Sequence, residues 1–205
     1  MNKLIEPSRI LMTRQSLESF PILPVPAGFT LRWYEPGFEE HWLAIHLAAE
    51  KEIPITRDLF TRRFGSDSAL LAARQCYLFS TDGSPVGTVT GWLDPEFEGA
   101  PHARVHFLAV SPQWQGNGLA KVLMSSILQR LKQLGHTRTY LATSSNRIRA
   151  IRLYLQFGFV PLAKTGESQA LWREILRAIE LEPRKSMPRP RSFSAGDGTR
   201  AAGGA

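Results

Sequence analysis

A buried-strand pattern, a glycine-containing loop and a helix start follow one another within residues 105–124, and no other stretch limits the fold of the chain as strongly. Val105, His106, Phe107, Leu108, Ala109 and Val110 form a short apolar run closed by Ser111 and Pro112, which is the pattern of a buried β-strand. From Leu119 onward the apolar residues recur at helical spacing through Leu123, Ile127, Leu131 and Leu134, and Gly135 is placed to end that helix. Between strand and helix, Gly116 and Gly118 let the backbone turn sharply and bring its amides close to a ligand. Free N–H groups and a helix dipole pointing the same way make such a junction an anion site.

Two common nucleotide motifs do not fit the junction. A P-loop requires a Gly-Lys pair, and the chain has none. A dinucleotide fingerprint requires a third small residue three positions after Gly118, where Lys121 stands.

Composition narrows the function classes further. Of the formal charge of +7, +4 lies in residues 183–205, which hold five Arg or Lys and one Asp, so the rest of the chain is only mildly basic. A flexible basic tail gives salt-sensitive attraction to nucleic acid, but no base-reading motif accompanies it, and a nucleic-acid partner is disfavoured. Cys76 is the only cysteine, which excludes an intramolecular disulfide and a Cys-rich zinc site and fits a reducing, cytoplasmic setting. The lack of a long apolar run and of a signal-like start predicts no membrane partner.

Along the chain, residues 1–27 carry Pro7, Pro21, Pro24 and Pro26 and read as an extended arm lying on the surface. Residues 28–182 read as one domain, and 183–205 as a disordered basic tail rich in Pro, Gly and Ser. Within the domain the pattern is a strand at 30–34, helices at about 38–49 and 56–64, and a hairpin at 76–80 and 85–93. A loop at 94–102 and the central strand and helix follow, then a strand at 138–143, a helix at 147–157, a short strand and a terminal helix at 168–181.

The loop Gln115, Gly116, Asn117, Gly118, Leu119 and Ala120 resembles the Gln/Arg-x-x-Gly-x-Gly/Ala loop of the GCN5-related N-acetyltransferases (GNAT family). The segment from Ala150 to Phe159 resembles that family's Ala-x-x-Leu-Tyr-x-x-x-Gly-Phe helix, in the right order and at about the usual separation. The likeness spans about two-thirds of the chain. It implies an α/β (α+β) fold with a central mixed, mostly antiparallel twisted sheet flanked by helices and splayed at its central strands.

The same resemblance implies acetyl-CoA as cosubstrate, with no metal. The amides of Gln115, Gly116, Asn117, Gly118, Leu119 and Ala120 would receive its pyrophosphate. Leu108, Ala109 and Val110 would offer backbone groups to the pantetheine arm, and an N–H near Val110 would polarise the thioester carbonyl. Tyr154 corresponds to the general acid for the departing thiolate.

Two departures stand out. Arg104 occupies a place where many members carry Glu, and His106, two residues on, either relays a proton from the amine or hydrogen-bonds within the core. Period-two geometry puts Arg104, His106, Leu108 and Val110 on one face. Asp94, Glu96 and Glu98 are further candidates for ammonium recognition or for the base. Arg147 stands where members often have Asn; the adjacent Asn146 either contacts the cosubstrate or caps the helix.

The reading is therefore an enzyme, monomeric or homodimeric, that acetylates a primary amine of a small molecule or a peptide. The competing reading is a non-catalytic acyl-CoA-binding sensor or interaction module; Tyr154 argues against it and Arg104 for it.

Overall fold

The computed structural model of the chain describes residues 5–181, and the tail at 183–205 lies outside the described residues. Seven strands, β1 (Arg9–Arg14), β2 (Phe29–Trp33), β3 (Gln75–Ser80), β4 (Pro85–Asp94), β5 (His102–Val110), β6 (Thr139–Ser144) and β7 (Val160–Pro161), form one sheet. Its order is β2-β3-β4-β5-β6-β1-β7, and every pairing is antiparallel except β5 with β6. Helices α1 (Phe38–Ala49), α2 (Arg57–Phe64) and α3 (Ser68–Arg74) lie between β2 and β3 in sequence. Helix α4 (Leu119–Gln133) joins β5 to β6, α5 (Ile148–Gln156) joins β6 to β7, and α6 (Gly166–Leu181) follows. The mixed, mostly antiparallel sheet with helices on it is the fold expected from the sequence.

Two apolar clusters cover opposite faces of the sheet because both faces of its central strands are apolar. Along β3, Cys76 and Leu78 pack with Leu123, Ile127 and Leu131 of α4, whereas Tyr77 and Phe79 pack with Trp42 of α1 and Phe60 and Phe64 of α2. Close seating of α4 depends on Gly91 of β4, where a Cβ would stand 2.8 Å from Leu131 Cδ2 and 3.0 Å from Ile127 Cδ1. No helix among the described residues is long and apolar enough to cross a membrane.

The N-terminal segment corrects one expectation. Part of the arm at 1–27 is not superficial: Arg9–Arg14 is a strand of the sheet, paired with β6 over six residues, with Ile10 and Met12 in the main core. Its alternation is short and its prolines lie outside it, at Pro7 and beyond, so the proline-rich composition of the whole segment masked a strand. Arg14 closes the end of β1 by donating from Nη1 to the Phe157 carbonyl at the end of α5, at 2.5 Å. Helix α3, read as no element, is capped by Asp67, whose carboxylate accepts from Leu70 N–H at 3.0 Å.

Candidate functional site

The central strands diverge early. Parallel pairing of β5 and β6 is confined to Ala103 with Thr139, Arg104 with Tyr140 and Val105 with Leu141. Beyond that point β5 bends, because a bulge sets two residues, Phe107 and Leu108, against Val89 alone on β4: Thr90 pairs with His106 and Thr88 with Ala109.

Phe107 has φ +49°, a left-handed conformation that costs a non-glycine residue about 1–2 kcal/mol. Its ring compensates by packing edge-on against Trp42, His46 and Phe64, with centroids 5.1, 5.2 and 5.6 Å away. The aromatic side chains of α1 and α2 thus hold the kink that opens the gap. On the far side β1 occupies the other edge of β6, which keeps that strand paired where it no longer meets β5.

The bulge also overturns the single-face reading of the strand. His106, Phe107 and Ala109 face the aromatic cluster, His106 lying 6.0 Å from the Phe64 ring, while Val105, Leu108 and Val110 belong to the opposite, α4-side core. An extra residue reverses the alternation, so Arg104 and His106 do not share a face with Leu108 and Val110.

At the open end of the gap, a 3₁₀ turn at Pro112–Trp114 leads into the glycine loop. Gly116 and Gly118 both have positive φ, +85° and +78°, and Gly118 is the left-handed N-cap of α4 with no side chain capping the helix. Asn117 Nδ2 donates to the Trp114 carbonyl at 3.1 Å, and Gln115 Nε2 donates to the Val110 carbonyl at 2.9 Å, pinning the loop to the strand. Among the described residues the amides of Gly116, Asn117 and Gly118 have no backbone acceptor, and a Cβ on Gly116 would meet nothing within 4 Å. The first turn of α4 carries no acid, and Leu119, 2% exposed, anchors it while Ala120 stays half-buried. Open amides at the positive end of a 15-residue helix fit a phosphate group.

Tyr154 lies on the core face of α5, buried among the α4-side apolar residues and 6.2 Å from the Phe159 ring. Burial pushes its phenol up to about 12, slightly offset by Arg147, so the hydroxyl keeps its proton at neutral pH. His106 is on the other side of the sheet. Burial first, then Arg104, Arg63 and His46, push its imidazole down to about 2, so it is neutral throughout the working range of an enzyme.

Asn146 and Arg147 meet partners no local pattern could show. Asn146 Nδ2 donates to Glu52 at 3.0 Å, and Arg147 Nη2 donates to Glu50 at 2.7 Å and Glu52 at 3.0 Å, tying the β6–α5 turn to the α1–α2 connection. The helix cap is Arg147 instead of Asn146, and it makes no side-chain capping bond.

The acidic loop residues separate as well. Asp94 accepts from the Tyr140 hydroxyl at 2.6 Å, Glu98 pairs with Lys164, and Phe97 stacks on Tyr140 with centroids 3.5 Å apart. Glu96 makes no side-chain pairing among the described residues.

Two residues gained weight only in three dimensions. Tyr140 pairs with Arg104 at the last rungs before the gap. His46, 3% exposed, packs its ring 5.2 Å from that of Phe107, and its Nε2 has no partner among the described residues.

The sequence profile of the Acetyltransferase (GNAT) family matches residues 29–159. Among curated relatives, N-acetyltransferase 8B of Rattus norvegicus is 38% identical over 86 residues, covering 40% of this chain and 37% of that protein. Mycothiol acetyltransferase of Brachybacterium faecium is 30% identical over 173 residues, covering 76% of this chain and 50% of that protein. The chain therefore spans half or less of the length of these relatives. Among solved structures, a GCN5-related N-acetyltransferase from Sphaerobacter thermophilus superposes with a TM-score of 0.64 at 22% identity, over 76% of this chain and 48% of that one.

Proposed function

Because the chain belongs to the acetyltransferase (GNAT) family, whose members generally use acetyl-CoA, we propose that it transfers an acetyl group from acetyl-CoA to a primary amine of a small molecule or peptide. The observation that carries this reading is the gap between β5 and β6, which starts after Val105 and Leu141 and has the open amides of the Gly116 and Gly118 turn at its far end.

Acetyl-CoA supplies the activated acyl group. The amides of Gly116, Asn117, Gly118, Leu119 and Ala120 take the pyrophosphate oxygens, with Gln115 holding the loop in place through Val110. Leu108, Ala109 and Val110, whose β6-side edge has no strand partner, take the pantetheine as an added strand takes its neighbour. An N–H near Val110 stabilises negative charge on the carbonyl oxygen. Asn146 and Arg147 border the same gap from the β6–α5 turn.

The two proton-handling groups work from opposite faces of the sheet. On the α5 side, the Tyr154 hydroxyl gives its proton to the departing thiolate, and a phenol raised to about 12 is still protonated when that step occurs. On the α2 side, neutral His106 accepts a hydrogen bond from the attacking amine and orients its lone pair. Its imidazole is too weakly basic to keep the proton, which passes on to water.

The test is calorimetric titration of acetyl-CoA into the full chain, followed by thiol release measured over a panel of primary amines. Micromolar binding with amine-dependent release is the expected result. Binding with no release for any amine would replace transfer by the sensor reading, and no binding would defeat both.

A further inference from the structure

Arg104 stands where β5 and β6 part, and Arg63 of α2 is within electrostatic reach of His106, two residues along the same strand. Arg104 and Tyr140 form the rung next to the last one, and the Arg104 guanidinium lies 5.7 Å from the Tyr140 ring centroid. Arg104 makes no ion pair among the described residues, and its buried Nε has no hydrogen-bond partner. Arg63 stands exposed on α2, likewise without an ion pair among the described residues, beside Phe64, which packs on His106. Asp94 is the carboxylate within electrostatic reach of Arg104, and it already accepts the Tyr140 hydroxyl. Glu98 is engaged by Lys164. Two guanidinium groups without an ion pair among the described residues thus stand against one engaged carboxylate, Asp94, with Glu96 on the same loop making no side-chain pairing there.

Resting on the acetyl-transfer reading of the same gap, we propose that the acceptor amine carries an anionic group, a carboxylate or a phosphate, which Arg104 binds with support from Arg63. A half-buried guanidinium with an orphaned Nε gains a charge-assisted partner when such a group arrives, and a neutral acceptor leaves it unpaired. Burial is the main reason that His106 is a weak base, and Arg104 and Arg63 lower it further.

The experiment uses matched amines that differ only in the anion: glucosamine 6-phosphate against glucosamine, and an L-amino acid against its carboxamide. Each is titrated calorimetrically into the CoA-saturated full chain and assayed for thiol release with acetyl-CoA, rates being referred to the neutral-amine concentration. The anionic member of at least one pair is expected to bind and react about 10- to 100-fold better at low salt, the preference shrinking as salt rises. Which pair discriminates separates carboxylate from phosphate.

Arg104→Gln should bring the ratio close to one, Arg104→Lys should restore part of it, and Arg63→Gln, at an exposed position, should lower it in a folded protein. Charge-selective binding without thiol release would defeat acetyl transfer and leave the subsite standing. Release with no preference for the anionic member would overturn the subsite and leave transfer standing. An absence of both binding and preference would overturn the subsite outright. A ratio unchanged in both glutamine variants would also overturn it.

Discussion

Replacing Met12 by Ala asks whether the N-terminal strand belongs to the core. Met12 is 0% exposed, faces Leu141 of β6 across one rung and Pro161 of β7 across the other, and joins the same apolar cluster as Leu141, Phe157 and Phe159. Truncating a fully buried Met to Ala costs about 2–5 kcal/mol, from lost transfer free energy plus a cavity that a strand held between two others cannot collapse. For a domain of this size each kcal/mol lowers Tm by about 2–4 °C, so a central cost of about 3 kcal/mol corresponds to about 6–12 °C. Leu11 is the internal control: it is half-buried, points to the other face and lies outside both clusters, so Leu11→Ala should cost only about 1 kcal/mol. Thermal and urea unfolding of the two variants beside wild type measure the difference. If residues 9–14 only lay along the surface, the two variants would melt together and within about 2 °C of wild type, and the placement of β1 in the sheet would be wrong.

Tyr154→Phe removes only a hydroxyl from a buried ring; kcat should fall about 10²- to 10⁴-fold while calorimetry finds acetyl-CoA affinity within about twofold, and an unchanged kcat would take Tyr154 out of the mechanism. Gly118→Ala forces a side chain into φ +78° at the helix cap, a strain of about 1–2 kcal/mol, so acetyl-CoA Kd should rise about tenfold; an unchanged Kd would separate the loop from the pyrophosphate. His46 adds a pH dependence. Burial holds its imidazole at about 4, against the opposing pull of Glu50 and the Phe107 hydrogen bond, so between pH 6.5 and 4 the unfolded chain binds the extra proton. Its contribution is complete above pH 6.5 and is lost as pH falls, by at most about 1.4 kcal/mol per unit. The drop in urea midpoint from pH 7 to pH 5 should therefore be smaller in His46→Phe, the remainder coming from His106, which burial also holds neutral, and an equal drop in variant and wild type would refute the assignment.

Local chemistry accounts for what the sequence revealed. The turn at Gly116 and Gly118, the apolar stripe of α4 and the Tyr154 helix are written in spacings of a few residues, so those elements could be read directly, while the arrangement of the sheet came from the family resemblance they carry. The kink at Phe107 could not, because neither Gly nor Pro marks it and the rings that support it come from Trp42, His46 and Phe64, far away in sequence. Period-two counting carried across that hidden extra residue and assigned Leu108 and Val110 to the wrong side. The engagement of Asn146 and Arg147 by Glu50 and Glu52 was equally invisible, since almost a hundred residues separate donors from acceptors. Helix α3, seven residues of Ser, Ala, Leu and Arg, is too short to show a period.

The position of β1 between β6 and β7 has a consequence for biosynthesis. The strand leaves the ribosome before the other six but finds its hydrogen-bonding partners only when Thr139–Ser144 and Val160–Pro161 have emerged. At ordinary elongation rates it waits on the order of ten seconds with its backbone groups unmatched. The sheet is thus sealed by its two chain-distant ends, and a ribosome that stalls after β5 releases a chain whose first strand has no docking place and whose exposed edge is free to recruit a neighbour.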